Sequence, residues 1–254
     1  MRSGICCVPV SPMRAEPSHR AEMVSQQVFG EQCIILEQEK DHWIKIRCNY
    51  DQYEGWCQEG HVLVLEEPIN GSTMLTGDWE SEVNVNGVPM RVPFGSQIPG
   101  LADGEASWGG HLIMFGGTLI NPASLVFEEE MIREVGFPFV NTSYLWGGKS
   151  IFGVDCSGFC QTVYKFFNKP ILRDASQQAT QGEIVGFLQE ARCGDLAFFD
   201  NPEGRITHVG ILLNESEILH SSVKVRIDPI DNMGIINRDT GERTHQLRII
   251  KRYF

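Results

Sequence analysis

The tightest constraint on this chain is the run Trp43-Ile44-Lys45-Ile46-Arg47-Cys48, where apolar and polar residues alternate over six positions. A period of two puts every second side chain on one face, the signature of a half-buried strand rather than an amphipathic helix. Gln32-Cys33-Ile34-Ile35-Leu36-Glu37 precedes it as another β-rich run, and the polar Gln38-Glu39-Lys40-Asp41-His42 between them forms a hairpin loop. Tyr53-Glu54-Gly55-Trp56-Cys57 and Val62-Leu63-Val64-Leu65 follow. Short strands with turns about every eight to ten residues specify a small barrel over residues 1–66, bounded at Glu66-Glu67-Pro68. Residues 67–123 are rich in Gly, Val and Pro and carry an Asn86-Gly87 hairpin signal, so a second small β unit is expected there, closing at Asn121-Pro122.

The 254 residues leave room for a further domain beyond these. With 21 basic against 33 acidic residues the net charge is −12, which argues against a nucleic-acid partner and against adhesion to anionic lipid. No run reaches the ~18 to 20 apolar residues of a membrane helix. The eight cysteines include no Cys-x-x-Cys pair, so neither a metal nor a cofactor is expected. Several lie inside apolar runs and read as small buried hydrophobes in a reducing compartment. The start of the chain lacks the ~7 to 15 apolar residues of a signal peptide. A cytoplasmic location is expected, with a periplasmic or secreted one as the alternative if an export segment has been removed.

From about residue 124 the texture changes. Leu125, Val126, Met131, Ile132 and Val135 around Glu128-Glu129-Glu130 fit an amphipathic helix over 124–135. Cys156, Phe159, Cys160, Val163, Phe166 and Phe167 lie on one face of a second helix over 156–168. Three β-type runs follow, at 195–199, 208–213 and 218–222, and 247–254 closes the chain. Helices followed by strands make residues 124–254 an α+β domain.

The densest chemistry sits at the start of the second helix. Asp155 is a good N-cap, which places Cys156 in the first turn, where exposed N–H groups and the helix dipole favour a thiolate. The same N–H groups could hold an oxyanion. On periodicity alone, Cys156 reads as a buried helix residue like Cys160, because both lie on the apolar face. The histidines tip the balance. His208 opens one strand and His220 lies near the end of the next, with Asn214-Glu215-Ser216-Glu217 as the turn, so an antiparallel pair can bring the imidazoles side by side. His208 then serves as general base and His220 orients it. The remaining histidines, His245 among them, stand in polar or Gly-rich surroundings with no such geometry.

Tyr144-x-Trp146-Gly147-Gly148, Asp155-Cys156-Ser157-Gly158, Cys193-Gly194-Asp195-Leu196, His208-Val209-Gly210 and Leu219-His220-Ser221 together resemble the NlpC family of papain-like cysteine peptidases, which act on bacterial cell-wall peptides. The resemblance implies a papain-like catalytic domain with Cys156 as nucleophile, His208 as base and His220 as the third residue. Asp195 reads as a turn or strand-start residue rather than a catalytic one, and Trp146 as a core or pocket-wall residue. Tyr53-x-Gly55-Trp56 is similar to bacterial SH3-like domains. Two such units before an NlpC domain resemble the γ-D-glutamyl-L-diamino acid endopeptidases. That likeness implies a murein peptide substrate with a free N-terminal L-Ala, cut between D-Glu and a diamino acid. It also implies that Glu22 and Tyr53, with Tyr144, Asp155 and Ser157, bind the substrate amine and backbone. Two alternatives stay open: a secreted peptidoglycan hydrolase anchored by its SH3-like domains, and a non-catalytic wall-peptide binding protein.

Overall fold

The computed structural model describes residues 2–71 and 73–254. The chain divides into two compact units, one of Met1–Ser124 with Lys149–Ile151, the other of Leu125–Gly148 with Phe152–Phe254.

In the first unit the alternating run at Trp43–Cys48 is a strand at the middle of a seven-stranded antiparallel sheet. Ile44, Ile46 and Cys48 point into a core with Met13, Cys33, Ile35 and Cys57, while Lys45 and Arg47 reach out to Glu54 on the neighbouring strand. The order across this sheet is Met23–Val28, Val10–Arg14, Glu54–Gln58, Trp43–Cys48, Gln32–Gln38, Arg2–Cys6 and Val62–Leu65. Beyond it, Val88–Pro93, Glu80–Val85, His111–Met114 and Glu105–Trp108 form a four-stranded sheet, and three further short strands form another. Asn86 and Gly87 both adopt positive φ and join Val85 to its cross-strand partner Val88, the two-residue turn that strand twist favours. The step at Glu66–Pro68 separates the sheets but not the packing. Ile5, Phe29 and Leu65 share one core with Val83, Val92, Ile98, Trp108 and Ile113.

The second unit is a helical layer against an antiparallel sheet. Its helices are α1 (Glu129–Gly136), α2 (Cys156–Lys165) and α3 (Ala175–Gln178). Its main strands are β1 (Glu183–Val185), β2 (Leu196–Asp200), β3 (Ile206–Leu212), β4 (Glu217–Ser222), β5 (Lys224–Asp231), β6 (Gly234–Ile236) and β7 (Arg243–Arg252). They run in the order β1-β7-β2-β3-β4-β5-β6, and β6 also pairs with β7, so β2 to β7 close into a ring. Alternation then sorts the side chains. Ala197, Phe199, Leu212, Ile218, Ile230 and Ile235 fill the interior of the ring. Val209, Ile211 and Leu219 lie on the other face, and α2 packs against β3 and β4.

Two helix boundaries differ from the sequence expectation. The first helix begins at Glu129 rather than 124, because Glu128 is extended and Phe127 turns into an aromatic cluster with Tyr164, Phe167 and Phe254. The second ends at Lys165, and Asn168 just beyond takes a left-handed conformation.

The shared core of the first unit has a direct test. Trp108 is fully buried, packs on Phe29 and donates its indole N–H to the Pro99 carbonyl at 2.9 Å. Trp108→Ala is expected to lower stability by about 3 to 5 kcal/mol in urea titrations followed by far-UV circular dichroism.

Candidate active site

The site begins with a buried carboxylate. Asp155 is the N-cap of α2 with extended backbone, and its Oδ1 accepts the Gly158 N–H at 2.6 Å. Its Oδ2 accepts the Gly147 N–H at 2.9 Å. The Arg173 guanidinium closes on both oxygens, at 3.1 and 2.7 Å, and also donates to the Ser157 hydroxyl at 3.0 Å. Arg173 is 1% exposed and Asp155 is buried, so this bidentate pair is largely shielded from water. Glycines let the loop and the helix meet: a Cβ on Gly158 would lie 2.2 Å from the Gly148 carbonyl oxygen, and one on Gly148 would lie 2.4 Å from that of Gly153. These contacts hold the first turn of α2, and Cys156 with it.

Burial pushes the Cys156 thiol up to about 12, and the Asp155 charge adds to the effect. Against that, the backbone N–H groups of Val209 and Ser157 and the Arg173 charge favour the thiolate. Val209 directly follows His208, so the sulfur lies beside the strand that carries this histidine. His208 is driven well below the ordinary imidazole range, first by burial and then by His220 and His245. At neutral pH the resting site therefore holds a thiol and an unprotonated imidazole, an acceptor ready for the thiol proton.

Cross-strand pairing of Gly210 with His220 brings the two imidazoles together, with His208 Nε2 2.8 Å from His220 Nδ1. A Cβ on Gly210 would lie 2.7 Å from the Cβ of His220, so only glycine leaves room for that ring. His220 Nε2 in turn lies 3.0 Å from Asp228 Oδ2 on β5. His245, set aside on sequence grounds, is the correction here. Ring closure through β7 stacks it on His208, with centroids 4.1 Å apart at 27°.

Tyr144 is half-buried beside the site and lines a cavity of about 280 Å³ with His208, Ser221, Ser222 and His245. Burial raises its phenol first, and Cys156 and Asp155 raise it further. Ser157 is buried within the Asp155–Arg173 cluster, and Trp146 is exposed rather than in the core. Glu22 and Tyr53 belong to the first unit. Glu22 is exposed just before the Met23–Val28 strand, and Tyr53 packs on the core that includes Met13 and Cys57. Asp195 is buried, accepts the Arg192 N–H, and is gripped by Arg252 at 2.8 and 2.6 Å.

Sequence reasoning missed Asp228, His245 and Arg173. Arg173 had one local signal, an acid at the head of a buried helix that needs a cationic partner. Asp228 and His245 reach the site only through strand pairing.

A capped cysteine at a helix N-terminus, packed on an antiparallel sheet that carries paired imidazoles, defines a papain-like cysteine peptidase domain. The comparisons agree. The pattern of the NlpC/P60 family matches residues 141–244, and that of the bacterial dipeptidyl-peptidase SH3 domain matches residues 13–69. Dipeptidyl-peptidase 6 of Lysinibacillus sphaericus is 26% identical over 275 residues, covering 90% of this chain and 92% of that protein. The γ-D-glutamyl-L-lysine dipeptidyl-peptidase of Bacillus subtilis is 30% identical over 215 residues, covering 78% and 71%. An NlpC/P60 family protein from Bacillus cereus has the same fold, with a TM-score of 0.83 at 18% identity over 99% of each chain. The chain belongs to the NlpC/P60 family, with an SH3-like β domain ahead of its peptidase domain.

The buried ion pair yields a stability test. Arg173→Met strands the Asp155 charge, and the expected loss is about 3 to 5 kcal/mol. Thermal unfolding of the variant beside wild type measures it, and an unchanged melting temperature would refute the role given to the pair.

Proposed function

We propose that this cysteine peptidase hydrolyses the bond between γ-D-Glu and the following diamino acid in murein peptides with a free N-terminal L-Ala, in the recycling of wall peptides. One observation carries this reading. The relatives named as dipeptidyl-peptidases align along 78–90% of the chain, whereas the probable peptidoglycan endopeptidase LytE of Bacillus subtilis aligns over 45%. The likeness thus includes the β domain as well as the catalytic one, which favours action on small released peptides over anchoring to polymeric wall.

In this reading the Cys156 thiol passes its proton to His208 as sulfur attacks the γ-carbonyl carbon. The oxyanion forms at the N-terminus of α2, where backbone N–H groups and the helix dipole oppose its charge. His208 then gives the proton to the departing amine, leaving a thioester. Water, deprotonated by His208, hydrolyses the thioester and restores the thiol. Tyr144 and Ser157 border the acyl side, and Glu22 and Tyr53 are assigned to the substrate ammonium.

The substrate assay pairs L-Ala-γ-D-Glu-L-Lys with its N-acetylated form, followed by chromatography. Cleavage of the free-amine peptide at least tenfold faster is expected, and equal rates would remove the amine requirement. Cys156→Ala should reduce turnover about 10⁴-fold or more. Glu22→Gln and Tyr53→Phe should narrow the gap between the two peptides if their assignment holds.

The pH profile has a defined sign. Neutral His208 is the competent form, and burial, His220 and His245 lower its pKa below 6.5. Activity therefore persists as pH falls through 6.5 and is lost only at lower pH, as the imidazole protonates. An acidic limb of kcat/KM centred at or above 6.5 contradicts this.

A further inference from the structure

We propose that Asp228 is a positioning residue for the reaction, fixing the tautomers of both site histidines so that His208 presents a bare Nδ1 to the thiol. The inference rests on the proposed roles of Cys156, His208 and His220, and extends the site by one residue that neither the motifs nor the sequence spacing mark.

Asp228 is 2% exposed. Burial pushes its carboxyl up, but the His220 ring, the Arg238 N–H and the Arg226 guanidinium outweigh that and hold it at about 2. The Arg238 N–H donates to Oδ1 at 3.0 Å, and Arg226 Nη2 donates to the same oxygen at 2.9 Å. Arg226 is itself braced by Asp239 at 2.9 Å. Near neutral pH Asp228 is therefore ionised and can only accept hydrogen bonds.

An acceptor facing His220 Nε2 at 3.0 Å requires a proton on that nitrogen. In the neutral ring this leaves Nδ1 as an acceptor. His208 Nε2, 2.8 Å away, must then be the donor in their shared hydrogen bond. With the single proton of neutral His208 placed on Nε2, its Nδ1 is free to take the thiol proton. No proton needs to leave His220 during turnover. His245 also faces the two rings, stacked on His208 and 5.9 Å from His220; its pKa is lowered to about 4, first by burial and then by His220, so it is neutral, and Tyr144 and Cys156, both raised by burial, are neutral as well.

The experiment combines kinetics with the tautomeric state. Long-range ¹H–¹⁵N spectra of wild-type protein carrying ¹⁵N-histidine, at neutral pH, are expected to show His220 and His208 both protonated at Nε2. In Asp228→Asn the side-chain amide can donate as well as accept, so the His220 tautomer is expected to reverse or become mixed. kcat should fall about 10- to 100-fold while KM stays within about twofold. Wild-type His220 protonated at Nδ1 overturns the proposal, as does a variant with unchanged kcat, or one whose kcat falls while its tautomers stay as in wild type. If Asp228→Asn does not fold, the wild-type spectrum alone decides. Failure of the underlying reading is separate: wild-type turnover insensitive to Cys156→Ala would remove the thiol mechanism without altering the tautomers.

Discussion

The Asp155 carboxylate is the point from which the peptidase domain is built. A buried carboxylate is costly unless charge and hydrogen bonds meet it from every side. Here Gly147, Gly158, Ser157 and Arg173 do so, drawn from the preceding loop, the helix start and the segment that leads into α3. Satisfying that one group fixes three pieces of chain together. Cys156 is the next residue, so its position is set by the same bonds that neutralise Asp155. Gly148 and Gly158 are glycines because backbone occupies the space where a Cβ would be.

The sheet contributes the other half through its two faces. His208 belongs to the ring interior, where it meets Phe199, His220 and His245. The next residue, Val209, belongs to the helix side, and its N–H reaches the Cys156 sulfur. Adjacent positions on β3 thus face the His208 imidazole to one side and the Cys156 thiol to the other, and the stiffness of a paired strand holds them in register with one another.

Much of this was legible in the sequence, for reasons that are local. An Asp before a helical apolar pattern is a cap, and two histidines flanking a short turn suggest a hairpin. The alternation at Trp43–Cys48 carries its own burial pattern. What was hidden depends on pairings with no local signature. Asp228 enters through the β4–β5 register, and His245 only because β6 pairs with β7 and closes the ring. Polar side chains around His245 read as a surface strand until that closure is known. The late start of α1 is of the same kind, since Phe127 is claimed by an aromatic cluster assembled from α2 and the chain terminus.

Gly210 has one more consequence. It admits His220 as its cross-strand neighbour, and the function read from this site depends on that pairing not slipping by one residue. Such a slip would carry His220 to the helix side of the sheet and exchange the interior and exterior side chains of β4. Strand content would be unchanged by that error, whereas the two imidazoles would no longer meet. On the roles proposed for these histidines, specific activity is a gauge of folding fidelity: the proportion of active sites in a preparation counts the molecules whose strands have paired correctly.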